Sequence, residues 1–212
     1  MDLNSPISTV VPSLDGPVLL VLAQAEDGLS GRQIHKLAGS GSVAGVRLVL
    51  QRLAATGLVH VDDLGNSLLY RLNRKHLVAS IVEQLANLRS TLMARLADEI
   101  SAWRIAPVHT SVYGAVARGD GDLDSDVDLL LIRPDRHEFE DVLWEDQVGR
   151  LLQTVVDLTG NPAHVFELSQ TEFSDHLATE DPILNDWMQP SVQLTGVPLD
   201  VLLNDLEAAL PR

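Results

Sequence analysis

The 212-residue chain contains no cysteine. Disulfide bridges, thiol catalysis and cysteine-ligated zinc are therefore excluded. Basic residues are scarce, with 15 Lys and Arg against 30 Asp and Glu, a formal net charge of −15. Taken whole, such a chain is a poor non-specific binder of nucleic acid. No Lys or Arg precedes Arg32, so the positive segment that opens a secretory signal is missing. Long apolar runs are missing too. Stretches such as Pro17 to Ala23, and Val127 to Ile132 with Asp128 within it, fall far short of the ~18 residues of a membrane span. A cytoplasmic protein with no membrane partner is expected. Glycine and proline, at 14 and 10, are ordinary, and hydrophobic residues reach 45%. That composition excludes a disordered or collagen-like chain and provides for at least one sizeable core.

The charge is unevenly placed. Residues 1–110 carry ten basic and nine acidic side chains, whereas residues 111–212 carry five and 21. This asymmetry predicts two domains with different partners.

In the first half, residues 1–16 read as a loose arm and Pro17 to Ala25 as a helix with proline at its start. Ser30 is placed to cap a second helix, Arg32 to Ala38, with Ile34, Leu37 and Ala38 on one face. Gly39-Ser40-Gly41 breaks it. Ser42 then caps a third helix, Val43 to Ala55, which turns Val46, Val49, Leu50 and Leu53 inward and leaves Arg47, Gln51 and Arg52 outside. Gly57 ends that helix. Two β-type runs follow, Leu58 to Val61 and Ser67 to Leu72, joined by a turn at Asp62 to Asn66; Leu68, Tyr70 and Leu72 alternate. This is a hairpin. The glycines of "GSGSVAG" (Gly39 to Gly45) lack a preceding strand and a following Gly-Lys-Ser/Thr, so they mark a turn rather than a phosphate loop.

Two helices, a turn, a helix and a hairpin, with "LQRLAATGLV" feeding the last element, resemble the winged helix-turn-helix of bacterial transcription regulators of the ArsR/MarR kind. The resemblance implies DNA as a partner, met by Ser42, Arg47, Gln51 and Arg52 on the recognition helix and by Arg71 beside the wing. Winged helices also serve as protein-interaction modules, and the same charges are what any solvated helix face carries.

From Lys75 to Trp103, apolar residues at 77, 81, 85, 88, 92, 96 and 100 form a helical stripe. It is read as one long linking helix, residues 75–106, its stripe serving as core or as the seam of a homodimer.

Pro107 ends that segment, and Val108 to Tyr113 reads as a strand. The next stretch, "YGAVARGDGDLDSDVDLLLI" (Tyr113 to Ile132), carries Gly114-Ala115, then Ala117-Arg118-Gly119, then Ser125 and the Asp126-Val127-Asp128 pair running into an apolar strand. Residues i and i+2 of a strand point to the same side, so Asp126 and Asp128 can converge on a hard divalent cation. An EF-hand is excluded, because counting from Asp120 position 6 is Ser125 and position 12 is Leu131. A plain solvated acidic loop would not run into an apolar strand.

This order of residues resembles the nucleotidyltransferase superfamily that includes DNA polymerase β and the minimal nucleotidyltransferases. The resemblance covers residues 108–168. It implies Mg²⁺ held by Asp126 and Asp128, and an NTP whose phosphates lie against Gly114, Ala115, Arg118 and Ser125. The family's Gly-Ser is Gly114-Ala115 here. Its third carboxylate falls on a later strand, "AHVFEL" (Ala163 to Leu168), where His164 stands at the acid position. If His164 faces the site, Phe166 and Leu168 share its face and Glu167 points away. His164 is then a substitute ligand or base, or a sign of lost activity.

Further helices are expected at Glu138 to Leu158 (Val142, Leu143, Leu151, Leu152 and Val155 inward), Gln170 to Leu177, Asp181 to Met188 and Leu199 to Leu210. A small strand is expected at Ser191 to Thr195, with Trp144 and Trp187 in the core. His109, His137 and His176 have no metal-ligand spacing. The expected whole is an α+β protein: a winged helix-turn-helix over 1–74, a linking helix, and a nucleotidyltransferase-fold α/β domain over 107–212. The expected activity is transfer of NMP from NTP to a hydroxyl. The alternatives are a transcription regulator whose second domain only senses nucleotide, and a toxin–antitoxin or defence component.

Overall fold

A computed structural model describes residues 1–135, 138–179 and 181–209. His137 and Leu210 lie outside the described residues. The protein is of mixed α and β structure with two sheets, and it divides into two compact units. One comprises Asp2 and Asn4–Arg89; the other comprises Met1, Leu3 and Ser90–Arg212. Among the described residues no helix is long and apolar enough to cross a membrane.

The first unit contains α1 (Asp15–Gln24), β1 (Leu29–Ser30), α2 (Gly31–Ala38), α3 (Val43–Ala55), β2 (Val59–Asp63), β3 (Leu68–Leu72) and α4 (Ala79–Ala86). Local chemistry sets its boundaries. The Ser30 side chain accepts from the Gln33 N–H while the Gln33 side chain returns to the Ser30 backbone, a complete capping box. Ser42 Oγ accepts from the Gly45 N–H at 3.0 Å and starts α3. Gly57, at φ +77°, lets the chain leave α3 and enter the hairpin. β2 and β3 pair antiparallel from Val59↔Leu72 to Asp63↔Leu68, and the two-residue β1 joins the other edge of β3. Val18, Leu22, Ile34, Val46 and Leu50 are fully buried in the core of this unit.

Several expectations fail here. Leu37 is 62% exposed and Leu68 44%, because α2 meets the core through Ile34 and Ala38 and β3 through Tyr70 and Leu72. The first residues are not a loose arm. Pro6–Thr9 form a 3-10 turn, Ile7 is buried in the first core, and Leu3 is buried in the core of the second unit. The long linking helix is instead two helices, α4 and α5 (Leu88–Ser101), broken at Asn87. The stripe breaks because the two halves serve different cores: Ala79 and Val82 pack in the first, whereas Leu92, Met93, Leu96 and Ile100 pack in the second. Leu77 and Ile81, expected on the stripe, are exposed.

The second unit has the four-stranded order β6-β5-β4-β7. Its elements after α5 are β4 (His109–Tyr113), α6 (Gly114–Arg118), β5 (Val127–Arg133), α7 (Glu138–Thr159), β6 (Ala163–Ser169), α8 (Gln170–Ala178), α9 (Ile183–Met188), β7 (Val192–Gly196) and α10 (Leu199–Ala209). β5 runs parallel to β6 and antiparallel to β4, which is antiparallel to β7. β5 is buried on both faces, which is why it reads as an unbroken apolar run. Val127, Leu129 and Leu131 pack on one side with Trp144, Leu151 and Val155 of α7; Leu130 and Ile132 pack on the other with Phe173, Trp187 and Leu203. Both tryptophans are core residues, as expected. Val142 is not, at 74% exposed, since α7 turns Trp144 inward instead.

A buried polar pair lies along β4. His109 Nδ1 is 2.8 Å from the Val197 carbonyl and Nε2 is 2.9 Å from Ser111 Oγ. The carbonyl can only accept, so Nδ1 carries the proton and Ser111 donates to Nε2. Burial pushes the imidazole below its ordinary value of 6.5, outweighing the bond to Val197. A site that disfavours the charged ring stabilises the fold above that value, and this stabilisation is lost as pH falls below it. The wild-type melting temperature, measured from pH 7.5 to 5, is therefore expected to fall more steeply than that of His109→Gln; parallel curves would show that the ring does not titrate with unfolding.

Candidate functional site

The chain turns sharply from β4 into α6. Gly114 sits there at φ +71°, and a Cβ added to it would stand 2.6 Å from Asp128 Oδ2. The missing side chain is thus the space into which the Asp128 carboxylate projects. Asp128 lies opposite Tyr113 on β4 and His164 on β6, so three adjacent strands present a row of Tyr113, Asp128 and His164. Asp126 lies one residue before β5, and its Oδ2 is 3.2 Å from His164 Nε2. The His164 and Asp126 side chains are 66% and 40% exposed, so this end of the sheet is open.

Electrostatics reflect the crowding. Partial burial raises the Asp128 carboxyl above the usual carboxylate range, and the charge of Asp126 raises it further; His164 and Arg118 oppose both. Burial, then Asp128 and Asp186, push the Tyr113 phenol upward. The structure therefore brings together Asp126, Asp128, His164 and Gly114. It adds one group that sequence reasoning passed over, Tyr113, whose signal was its place directly before Gly114.

The expected phosphate contacts are placed unevenly. α6 has only five residues. Arg118 Nε pairs with Asp120 at 3.1 Å. Ser125 is tied up within its own loop: its hydroxyl donates to Asp122 Oδ1 and accepts from the Asp122 N–H, both at 2.8 Å. These bonds, led by the Ser125 hydroxyl, hold the Asp122 carboxyl below its usual value. Glu167 points away from the row and pairs with Arg133 at 2.9 Å, while Phe166 and Leu168 join the core below His164.

The two carboxylates are hard oxygen donors of the type Mg²⁺ takes, and the imidazole beside them is a softer nitrogen donor. Among the described residues no group of three or more His, Asp or Glu converges as a metal site. Mg²⁺ bound with nucleotide needs only one or two carboxylates and completes its shell with phosphate oxygens and water.

In the first unit, Arg47 and Gln51 are exposed on α3. Arg47 lines a cleft of about 490 Å³ with Arg32, Asn66 and Ser67. Two of the expected DNA contacts are ion-paired within the unit, their side chains 57% and 53% exposed. Arg52 pairs with Asp15, and Arg71 Nε lies 3.3 Å from Asp62 Oδ2. Ser42 is occupied as the cap of α3.

The chain matches no protein-family model and no curated protein. Among solved structures, human N-acetylserotonin methyltransferase in complex with SAM matches with a TM-score of 0.28 and 19% identity, over 46% of this chain and 32% of that one. A likeness of this size carries no argument about fold or activity.

Proposed function

We propose that the second unit is a Mg²⁺-dependent nucleotidyltransferase and that the first binds DNA. The observation that carries the enzymatic reading is the juxtaposition of Asp126, Asp128 and His164 around the space that Gly114 leaves open. The sheet order adds support: a strand ending in glycine lies antiparallel to the strand of the aspartates, and the third strand lies parallel to it. In this reading an acceptor hydroxyl attacks the α-phosphorus, the bond from that phosphorus to the bridging oxygen breaks, and pyrophosphate leaves. Asp126 and Asp128 hold Mg²⁺, which when bound neutralises charge on the phosphates. The ring nitrogen of His164 that does not face Asp126 takes the proton of the acceptor hydroxyl. Arg118, close enough to Asp128 to lower its proton affinity, steadies the phosphates.

The test is release of pyrophosphate from NTP and Mg²⁺ by the full chain, screened against hydroxyl acceptors. Nucleotide binding without turnover would favour the second reading, a nucleotide sensor, which Ala115 and His164 support because a family hydroxyl and a family carboxylate are both replaced.

For the first unit, Arg47→Ala is expected to weaken binding to duplex DNA and reduce the salt slope by about one. Arg52→Ala and Arg71→Ala should do less, since those side chains are already paired. Fluorescence anisotropy over a salt series measures this; an Arg47→Ala variant that binds as wild type does would rule out α3 as the reading face.

A further inference from the structure

We propose that the turn at Asn161-Pro162 is the clamp that positions Asp126, with Asn161 as the positioning residue; this rests on the reading of Asp126 and Asp128 as the Mg²⁺–nucleotide site. Asn161 lies between α7 and β6, where a polar turn residue ordinarily faces water, yet it is only 2% exposed. Its side-chain nitrogen donates to the Ser125 carbonyl at 2.9 Å and, at 3.4 Å, to that of Leu123. Its side-chain oxygen accepts from the Met1 main-chain nitrogen at 2.6 Å, and its own N–H donates to Thr159 Oγ1 at 3.0 Å. The next residue completes the arrangement, because the Pro162 carbonyl accepts the Val127 N–H at 2.9 Å.

The residues on either side of Asp126 are therefore both bonded to consecutive residues of a single turn. The acidic loop otherwise holds itself together through Asp122 and Ser125, bonds that do not tie it to the sheet. Asn161 is the tie. Two carbonyl oxygens face its amide from one side, so only the NH₂ end fits there. A carboxylate of the same shape would set oxygen against oxygen and push away the segment that carries Asp126. A buried acceptor stripped of its donor is costly, so shortening the side chain also loosens the loop.

Calorimetric titration of the full chain with ATP and Mg²⁺ tests this, alongside melting curves without ligand. Asn161→Asp and Asn161→Ala are expected to weaken Mg²⁺–ATP binding by about 10–100-fold, the usual cost of removing a partner that orients metal ligands. Asp should be the worse of the two. Asn161→Ser, whose hydroxyl reaches one carbonyl at most, should fall between Ala and wild type and decides the matter if the others do not fold. Leu151→Ala leaves a cavity in the same core and is the control for lost stability; it should keep wild-type affinity. Asn161 variants that bind as wild type does, or that lose no more than Leu151→Ala, or an Ala variant worse than Asp, overturn the clamp alone. A wild-type chain that binds no Mg²⁺–ATP at millimolar concentration overturns the nucleotide site and the clamp with it.

Discussion

Asparagine at both Asp126 and Asp128 is expected to reduce Mg²⁺-dependent pyrophosphate release by at least about 10³-fold, since several kcal/mol of charge stabilisation at the phosphates depends on these two side chains. The same double variant is expected to melt no lower than wild type at pH 7 without metal. Burial and the neighbouring charge raise the Asp128 carboxyl above its ordinary value of 3.8. A raised carboxyl favours the fold only at acid pH, and that contribution is lost as pH rises through the folded-state value. Burial and the charge of Asp126 thus work against the ionised form of Asp128 in the fold, a cost that asparagine removes. Millimolar Mg²⁺ with ATP should raise the melting temperature of wild type and leave that of the variant unchanged. A variant that keeps its activity, or that melts well below wild type, would show that these aspartates are structural.

The second large effect is one of stability. Gly196→Ala is expected to destabilise the second unit by about 2–5 kcal/mol, combining the ~1–2 kcal/mol of a left-handed backbone with the ~1–3 kcal/mol of forced overpacking. Gly196 closes β7 at φ +81°, and a Cβ there would stand 2.2 Å from the Val108 carbonyl oxygen. That oxygen belongs to the main chain and cannot rotate away. It also accepts the Val197 N–H at 2.8 Å, while the Val197 carbonyl holds His109. Moving it would loosen the β4–β7 edge at both bonds. Calorimetric melting of the full chain should show the loss, a fall of several degrees or more; an unchanged transition would show that the edge relaxes freely.

Signals that act within a few residues were legible along the chain. Ser30, Ser42 and Gly57 announce their helix ends because capping involves near neighbours. The apolar run after Asp128 announces a strand buried on both faces, and the spacing of Asp126 and Asp128 announces a shared side. Periodicity said less about partners. The stripe at residues 77–100 has one period, yet Asn87 divides it between two cores. Leu37, Leu68 and Val142 fit their patterns and still face outward, because how far each core extends is set by elements distant in sequence. Arg52 and Arg71 look like free cations until folding brings Asp15 and Asp62 against them.

The order of residues alone settled the type and limits of most elements, along with the turn at Gly114 and the shared side of Asp126 and Asp128, since these follow from backbone conformation and side-chain alternation over a few bonds. Folding in three dimensions decided the rest: that His164 stands beside Asp126, that Tyr113 stands beside Asp128, and that Asn161 is buried beneath the acidic loop. Each of these depends on a strand register or on a loop closed over tens of residues, where the outcome is fixed by which surfaces can be buried together rather than by any neighbour along the chain.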